Sequence, residues 1–170
     1  FQTNEVPGVK PYEEQAYWRD VGTIEAYWDA NMDLLGESPR FDLDNRYWPI
    51  RGSHHPGPPA RFLGCDVDNA QVGEGSLVKR ATIRNSILGR SVWVNEGAVI
   101  EDSIVMDHTT VGKGAHLRRA IVDRFNIVPA DCEIGVNLEV DRRRYHVDPT
   151  GLVVVPRGGR REFLLGLEEF

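Results

Sequence analysis

Between Val72 and Leu138 the aliphatic residues follow neither the 3.6-residue spacing of a helix face nor the strict alternation of a half-buried strand. They advance by six, six and five: Leu88, Val94, Ile100; then Val105, Val111, Leu117; then Val122, Val128, Ile134. The segments Leu88 to Ile104, Val105 to Ile121 and Val122 to Leu138 superimpose at a constant step of 17 residues. A helix would scatter positions six apart over its faces. A short flat strand and a corner, repeated every six residues, instead point each aliphatic side chain at a common axis, and three such sides close a triangle. The spacing predicts an all-β fold, a left-handed parallel β-helix of hexapeptide repeats over residues 62–138. Val72-Gly73-Glu74-Gly75-Ser76-Leu77, with Val78 and Ile83, reads as a first coil one residue shorter, giving about four coils.

The intervening positions agree with this reading. Tight corners need Gly, Asn, Asp or another small residue, and Asn95-Glu96-Gly97-Ala98 and Gly112-Lys113-Gly114-Ala115 supply them at matching places. Upstream, apolar residues at 24, 27, 28, 31, 32 and 35 form a helical stripe, with Thr23 as N-cap and Gly36 just past the end. By periodicity alone Trp18, Tyr27 and Trp28 are core or interface aromatics. Residues 37–61, rich in Pro and Gly, read as a linker that includes His54 and His55. In 139–170, Arg143 to Val147 and Leu152 to Val155 flank Asp148-Pro149-Thr150-Gly151, which spells a hairpin before a short tail. The ends of a solenoid expose apolar strands, so these flanks are expected to cap it.

The net charge of −6 disfavours nucleic acid, as does the lack of a face that interleaves aromatic and basic residues. No apolar run approaches the ~20 residues that cross a bilayer, and no membrane role and a cytoplasmic location are expected. Cys65 and Cys132 form no CxxC pair and are expected to be free thiols. The chain opens with Phe1 inside what reads as a continuing segment, so a fragment of a longer polypeptide is expected. It contains no glycine loop of the phosphate-cradling kind.

Tyr17-Trp18-Arg19-Asp20-Val21-Gly22-Thr23 leads into the helix; Tyr47-Trp48-Pro49-Ile50-Arg51, Pro58-Pro59-Ala60-Arg61-Phe62 and Leu117-Arg118-Arg119-Ala120-Ile121-Val122-Asp123-Arg124 follow in order. This succession, running from about Phe1 to Arg157, resembles the C-terminal part of bacterial glucose-1-phosphate adenylyltransferases. The resemblance implies an enzyme that joins ATP and glucose 1-phosphate into ADP-glucose and pyrophosphate for glycogen synthesis, and a homotetramer controlled by metabolite effectors. It implies that residues 1–36 end a nucleotidyltransferase domain, that Trp18 lies at the domain interface, and that Asp20 shares Mg²⁺ with a carboxylate of the absent catalytic domain. No other catalytic residue is expected here, and the isolated chain is expected to be inactive.

Nine arginines fall between Arg118 and Arg161 of this acidic chain, and guanidinium forks suit phosphate. The resemblance assigns Arg118 and Arg119 to a sugar-phosphate or related anionic effector, and Arg124, Arg143 and Arg144 less directly. Two rival classes stay open: a noncatalytic assembly module, and an autonomous hexapeptide acyltransferase with His108 as general base. His108 and His116 fall at corners or outer positions with no third repeat histidine, so no zinc site is expected.

Overall fold

The computed structural model describes residues 17–47, 49, 50 and 57–160. The expectations for Trp48, His54, His55, Arg161 and the tail fall outside these residues. After helix α1 (Ile24–Met32) the chain forms β1 (Arg61–Leu63), β2 (Asp66–Val72), β3 (Leu77–Lys79), β4 (Thr82–Leu88), β5 (Trp93–Val94), β6 (Val99–Glu101), β7 (Ile104–Val105) and β8 (Thr110–Val111). It continues through β9 (His116–Arg118), β10 (Ala120–Val122), β11 (Ile127–Val128), β12 (Glu133–Ile134), α2 (Leu138–Asp141), β13 (His146–Val147) and β14 (Val153–Val155).

The strands stack into a parallel solenoid of three faces. Face one is β1-β3-β5-β8-β11. Face two carries the first half of β2 and β4, then β6, β9 and β12; face three carries their second halves, then β7, β10 and β14. The repeat step seen in the sequence is the pairing register: Leu88 lies beside Val105 and Val105 beside Val122, while Val94, Val111 and Val128 align on face one. Early coils are one residue shorter, with Phe62 beside Val78 and Val67 beside Ile83. These coils use the same three faces but spend one residue fewer at the turn near Arg80 than the later coils spend near Gly97.

The inward aliphatics are the core. Val78, Ile83, Ile100, Val105, Val111, Leu117 and Val122 are completely buried. Each contributes about 1.5–3 kcal/mol of transfer free energy, more than the ~1 kcal/mol net of a typical backbone hydrogen bond. Beside them run columns of small side chains where the backbone turns. One column is Cys65, Ala81, Ala98, Ala115 and Cys132. The cysteines thus act as small apolar fillers at its two ends. Four strand spacings, roughly 19 Å, separate them, far beyond disulfide reach.

Each corner passes once through the left-handed backbone region. One column is Gly64, Arg80, Gly97, Gly114 and Asp131; the second is Asn69, Asn85, Asp102 and Arg119; the third is Gly75, Ser91, His108 and Phe125. Asn, Asp and His tolerate this conformation better than other side-chain-bearing residues, whereas Arg80, Ser91, Arg119 and Phe125 adopt it without that advantage. The second corner also carries a polar ladder: Asn69 Nδ2 donates to Asn85 Oδ1 at 2.8 Å, and Asn85 Nδ2 to Asp102 Oδ1 at 2.6 Å.

Helix α1 is clamped to this ladder at both ends. The Gly36 N–H donates to Asn69 Oδ1 at 2.7 Å, and Trp28 Nε1 donates to the Asp102 carbonyl at 2.9 Å. Its apolar side, Ile24, Trp28 and Met32, covers the outward Ile104 and Ile121 of face three. Thr23 caps the helix as its position predicts, accepting from the Ala26 N–H at 3.1 Å.

The expectation that the third coil runs to Leu138 needs one correction. At Gly135, where a Cβ would run into the Arg118 carbonyl, the chain turns out of the coil; Asn137 caps α2, and Leu138 packs against the core from a helix. The strand place beside Ile121 is taken by Val154, from well beyond the next coil, because β14 pairs in parallel with β10. The predicted hairpin exists, with β13 antiparallel to β14. Its tip is held by Asp148, whose carboxylate accepts from the N–H groups of Thr150 and Leu152. Leu138, Tyr145 and Val147 from this excursion pack against the end of the core.

Val111→Asp places an unpaired carboxylate at a fully buried axial position and is expected to cost at least about 3 kcal/mol, while Lys113→Asp at an exposed corner is mild. Thermal melts compare the two; equal melting temperatures would refute the register.

Candidate functional site

The lower end of the third corner gathers chemistry that the linear sequence disperses. There the β-branched run Val153-Val154-Val155 extends face three by one strand, and the chain continues as a strap across the corner. Asp123 N–H donates to the Val155 carbonyl at 3.0 Å, Asn126 Nδ2 to the Pro156 carbonyl at 3.0 Å, and Gly158 N–H to the Arg124 carbonyl at 3.1 Å. The last bond continues the ladder above it, in which His108 N–H donates to Arg90 O and Phe125 N–H to Asp107 O.

These bonds set the strap that carries Arg157 and Arg160 against the Arg124 main chain, with both strap arginines over the Phe125 ring. The His108 imidazole stacks on Phe125 with centroids 5.2 Å apart and planes 1° from parallel. The guanidinium carbons of Arg157 and Arg160 lie 5.1 and 6.0 Å from the Phe125 centroid. Arg124 pairs loosely with its neighbour Asp123, Nε to Oδ1 at 3.6 Å, and is half exposed. Arg157 and Arg160 have no carboxylate partner among the described residues. Three cations so placed favour an anion with several oxygens, such as a phosphate group.

One rung above, Asp107 accepts from the Arg90 N–H at 2.8 Å and from Arg90 Nη2 at 2.7 Å. Burial pushes the Asp107 carboxyl up, but the Arg90 hydrogen bonds and charge, helped by His108, outweigh it and hold it below the usual carboxylate range. This pair stiffens the corner against which His108 rests.

The other expected site residues lie elsewhere. Arg118 points outward from β9 beside Glu101 in register, exposed and with no side-chain partner among the described residues. Arg119, next to it at the second corner, turns toward α1 with its guanidinium carbon 4.9 Å from the Trp28 ring. Arg143 is exposed beyond α2, and Arg144 lies 5.3 Å over the Tyr145 ring. The arginines that are continuous in sequence therefore separate onto different surfaces. His116 sits on face two, its Nε2 3.4 Å from Glu101.

Asp20 is exposed, and its Oδ1 accepts from the Gly22 N–H at 3.1 Å, fixing the turn into α1. Among the described residues no group of three or more His, Cys, Asp or Glu is arranged to hold a metal ion. Asp20 fits a single-carboxylate contribution to a Mg²⁺ whose remaining ligands come from substrate, water or another domain. Trp18 is 80% exposed. Arg19 between them is tied to the helix by ion pairs to Asp29 at 3.1 Å and Asp33 at 2.6 Å. No helix among the described residues is long and apolar enough to cross a membrane.

Phe125 escaped the sequence reading because one aromatic in an aliphatic repeat gives no periodic signal. Its only trace is that a ring stands at a corner position taken by Gly75 and Ser91 in the early coils and by His108 one rung above.

The profile of a family described as "GlmU-like, C-terminal hexapeptide" matches residues 58–155. Curated relatives named glucose-1-phosphate adenylyltransferase are similar over nearly the whole chain. That of Thermodesulfovibrio yellowstonii is 41% identical, covering 94% of this chain and 39% of its own length. That of Aliivibrio fischeri is 42% identical, covering 94% and 40%, and that of Anaeromyxobacter sp. 39%, covering 95% and 41%. The chain thus spans about two fifths of the length of these relatives.

The Asp107 carboxylate ionises more readily in the fold than in the unfolded chain, so its stabilisation is present above its unfolded pKa of about 3.9 and disappears as pH falls through the lower folded value. Asp107→Asn is expected to lower stability at pH 7 and to flatten that part of the acid limb of a melting-temperature profile; an unchanged limb would remove Asp107 from it.

Proposed function

Because the chain belongs to the GlmU-like C-terminal hexapeptide family, we propose that it is the regulatory and oligomerisation part of a glucose-1-phosphate adenylyltransferase, a nucleotidyltransferase making ADP-glucose and pyrophosphate from ATP and glucose 1-phosphate. The observation that carries the regulatory role is the docking of the strap that bears Arg157 and Arg160 against the Arg124 main chain, at one corner of an acidic chain. Their ligand is a sugar-phosphate or related anionic effector. The relatives favour this reading over an autonomous acyltransferase, because a solenoid of that kind alone implies no particular chemistry.

The parent enzyme is a cytoplasmic homo-oligomer, a tetramer, and the exposed apolar residues Phe62, Leu63 and Trp93 around face one supply surface for assembly. The chain alone is inactive, since it offers one carboxylate to Mg²⁺ and no glycine loop to a triphosphate. Asp20 lends that carboxylate from a turn fixed by Gly22 and by the ion-paired Arg19, with the exposed Trp18 facing the catalytic domain.

Arg124→Ala with Arg157→Ala in the full-length enzyme should raise the activating concentration of the effector about tenfold or more, since charge-assisted contacts to phosphate are worth roughly 1.5–3 kcal/mol each. A surface ion pair would be worth under about 1 kcal/mol and leave the titration almost unmoved. Effector titrations at fixed ionic strength make the comparison, and an unchanged activation constant rejects the site. The pair Arg118→Ala with Arg119→Ala is the control on placement: a larger rise there moves the effector to the second corner.

Asp20→Asn in the same enzyme should lower turnover and raise the Mg²⁺ concentration needed for half-maximal rate. Wild-type rates at limiting Mg²⁺ would remove Asp20 from the mechanism.

A further inference from the structure

Phe125 occupies a left-handed corner at φ 61°, a conformation that a bulky side chain rarely adopts and that Gly75 fills without strain in the same column. An aromatic at such a place needs a use for its ring. That ring is engaged twice: His108 stacks on it from the rung above, and the strap beyond β14 lays Arg157 and Arg160 over it.

The manner of the contact matters as much as its existence. A carboxylate partner consumes a guanidinium's N–H donors. A cation–π contact consumes none, so an arginine held by a ring keeps its fork for a ligand. The strap is otherwise fastened through its backbone, by Gly158 N–H to Arg124 O and by Asn126 to the Pro156 carbonyl. Those bonds locate the main chain and leave the two long side chains to be ordered. Ordering an arginine before its ligand arrives removes an entropic cost from binding.

We propose that Phe125 is the positioning residue of the anion site. Its ring, backed by His108, holds Arg157 and Arg160, which have no carboxylate partner among the described residues, on the strap that docks at the Arg124 main chain, so that the site is organised before a phosphate-bearing ligand binds. This inference rests on the effector reading above and goes beyond it by assigning a role to an apolar side chain that need not touch the ligand.

The test is a calorimetric titration of glucose 1,6-bisphosphate, as a doubly phosphorylated sugar probe, into the chain at fixed ionic strength, with four variants. Arg124→Ala reports on the anion site itself. Phe125→Gly removes the ring and relieves the corner, Phe125→Leu keeps apolar bulk without a π face, and Phe125→Trp keeps the π face. The expected result is at least about tenfold weaker binding for Arg124→Ala, Phe125→Gly and Phe125→Leu, and near-wild-type binding for Phe125→Trp. Trypsin should cut the Arg157–Gly158 bond faster in Phe125→Gly and Phe125→Leu than in Phe125→Trp. Folding is checked by melting temperature, and a collapse of Phe125→Gly leaves Phe125→Leu against Phe125→Trp to decide. Weakened binding in Arg124→Ala but wild-type binding in the Gly and Leu variants overturns the role of Phe125 and leaves the effector reading standing. Weakened binding in Phe125→Trp as well overturns it, because the π face then fails to rescue. Undiminished binding in all four variants overturns both.

Discussion

Each coil must return the chain to the same side of the triangle one strand spacing away, and must do so in a single short circuit, as from Val67 to Ile83 or from Leu88 to Val105. That closure condition governs nearly everything else. It forces the backbone through the left-handed region at each corner, reserves the inside of each bend for small side chains, and leaves one inward place per side for an aliphatic residue. It also stacks equivalent residues one above another, so a polar group at one corner meets the next along a column. The ladder of Asn69, Asn85 and Asp102 arises this way, and it gives helix α1 its seat. The column of Ser91, His108 and Phe125 arises in the same way and gives the strap its ring.

The aliphatic column was legible in the sequence because burial on an axis tolerates only a few residue types, and the periodicity survives from Val72 to Ile134. Thr23 as a cap and the hairpin around Asp148 were legible for a similar reason, since each rests on local hydrogen bonding that few side chains provide. Leu138 misled because its apolar character is real but its duty is discharged from a helix: Asn137 offers a cap, and the chain leaves the coil at Gly135, directly after the last inward residue, Ile134. Nothing local announces that Val154 will resume the column, since its partner on β10 is Ile121, on the far side of β11, β12, α2 and β13 in the chain.

The arginines show the opposite limit. Arg118 and Arg119 are neighbours in sequence, yet one faces outward from β9 and the other rests on Trp28, because a corner lies between face two and face three at this point. Arg124 and Arg157 are far apart in sequence, yet the strap that carries Arg157 reaches the Arg124 carbonyl because β14 replaces the missing strand of face three. Charge counting locates the basic region; only the topology says which guanidinium groups share a surface. Similarity to the glucose-1-phosphate adenylyltransferases covers 94% of this chain, which spans about two fifths of the length of those proteins.

The excursion through α2 and the hairpin has a kinetic meaning. Every other strand of face three finds its neighbour after one circuit of the solenoid, whereas β14 must close a loop about twice that length, from Val122 round to Val153, before it can lie on β10. Doubling a loop costs only about 0.6 kcal/mol of closure entropy, but this loop must also fold a helix and a hairpin before the strand can dock. In a structure whose units touch only their neighbours, an end unit is held from one side only. The strap that carries Arg157 is therefore tied to a unit with a neighbour on one side only, and a ligand bridging it to Arg124 would oppose its opening and act as a clasp on the end of the solenoid.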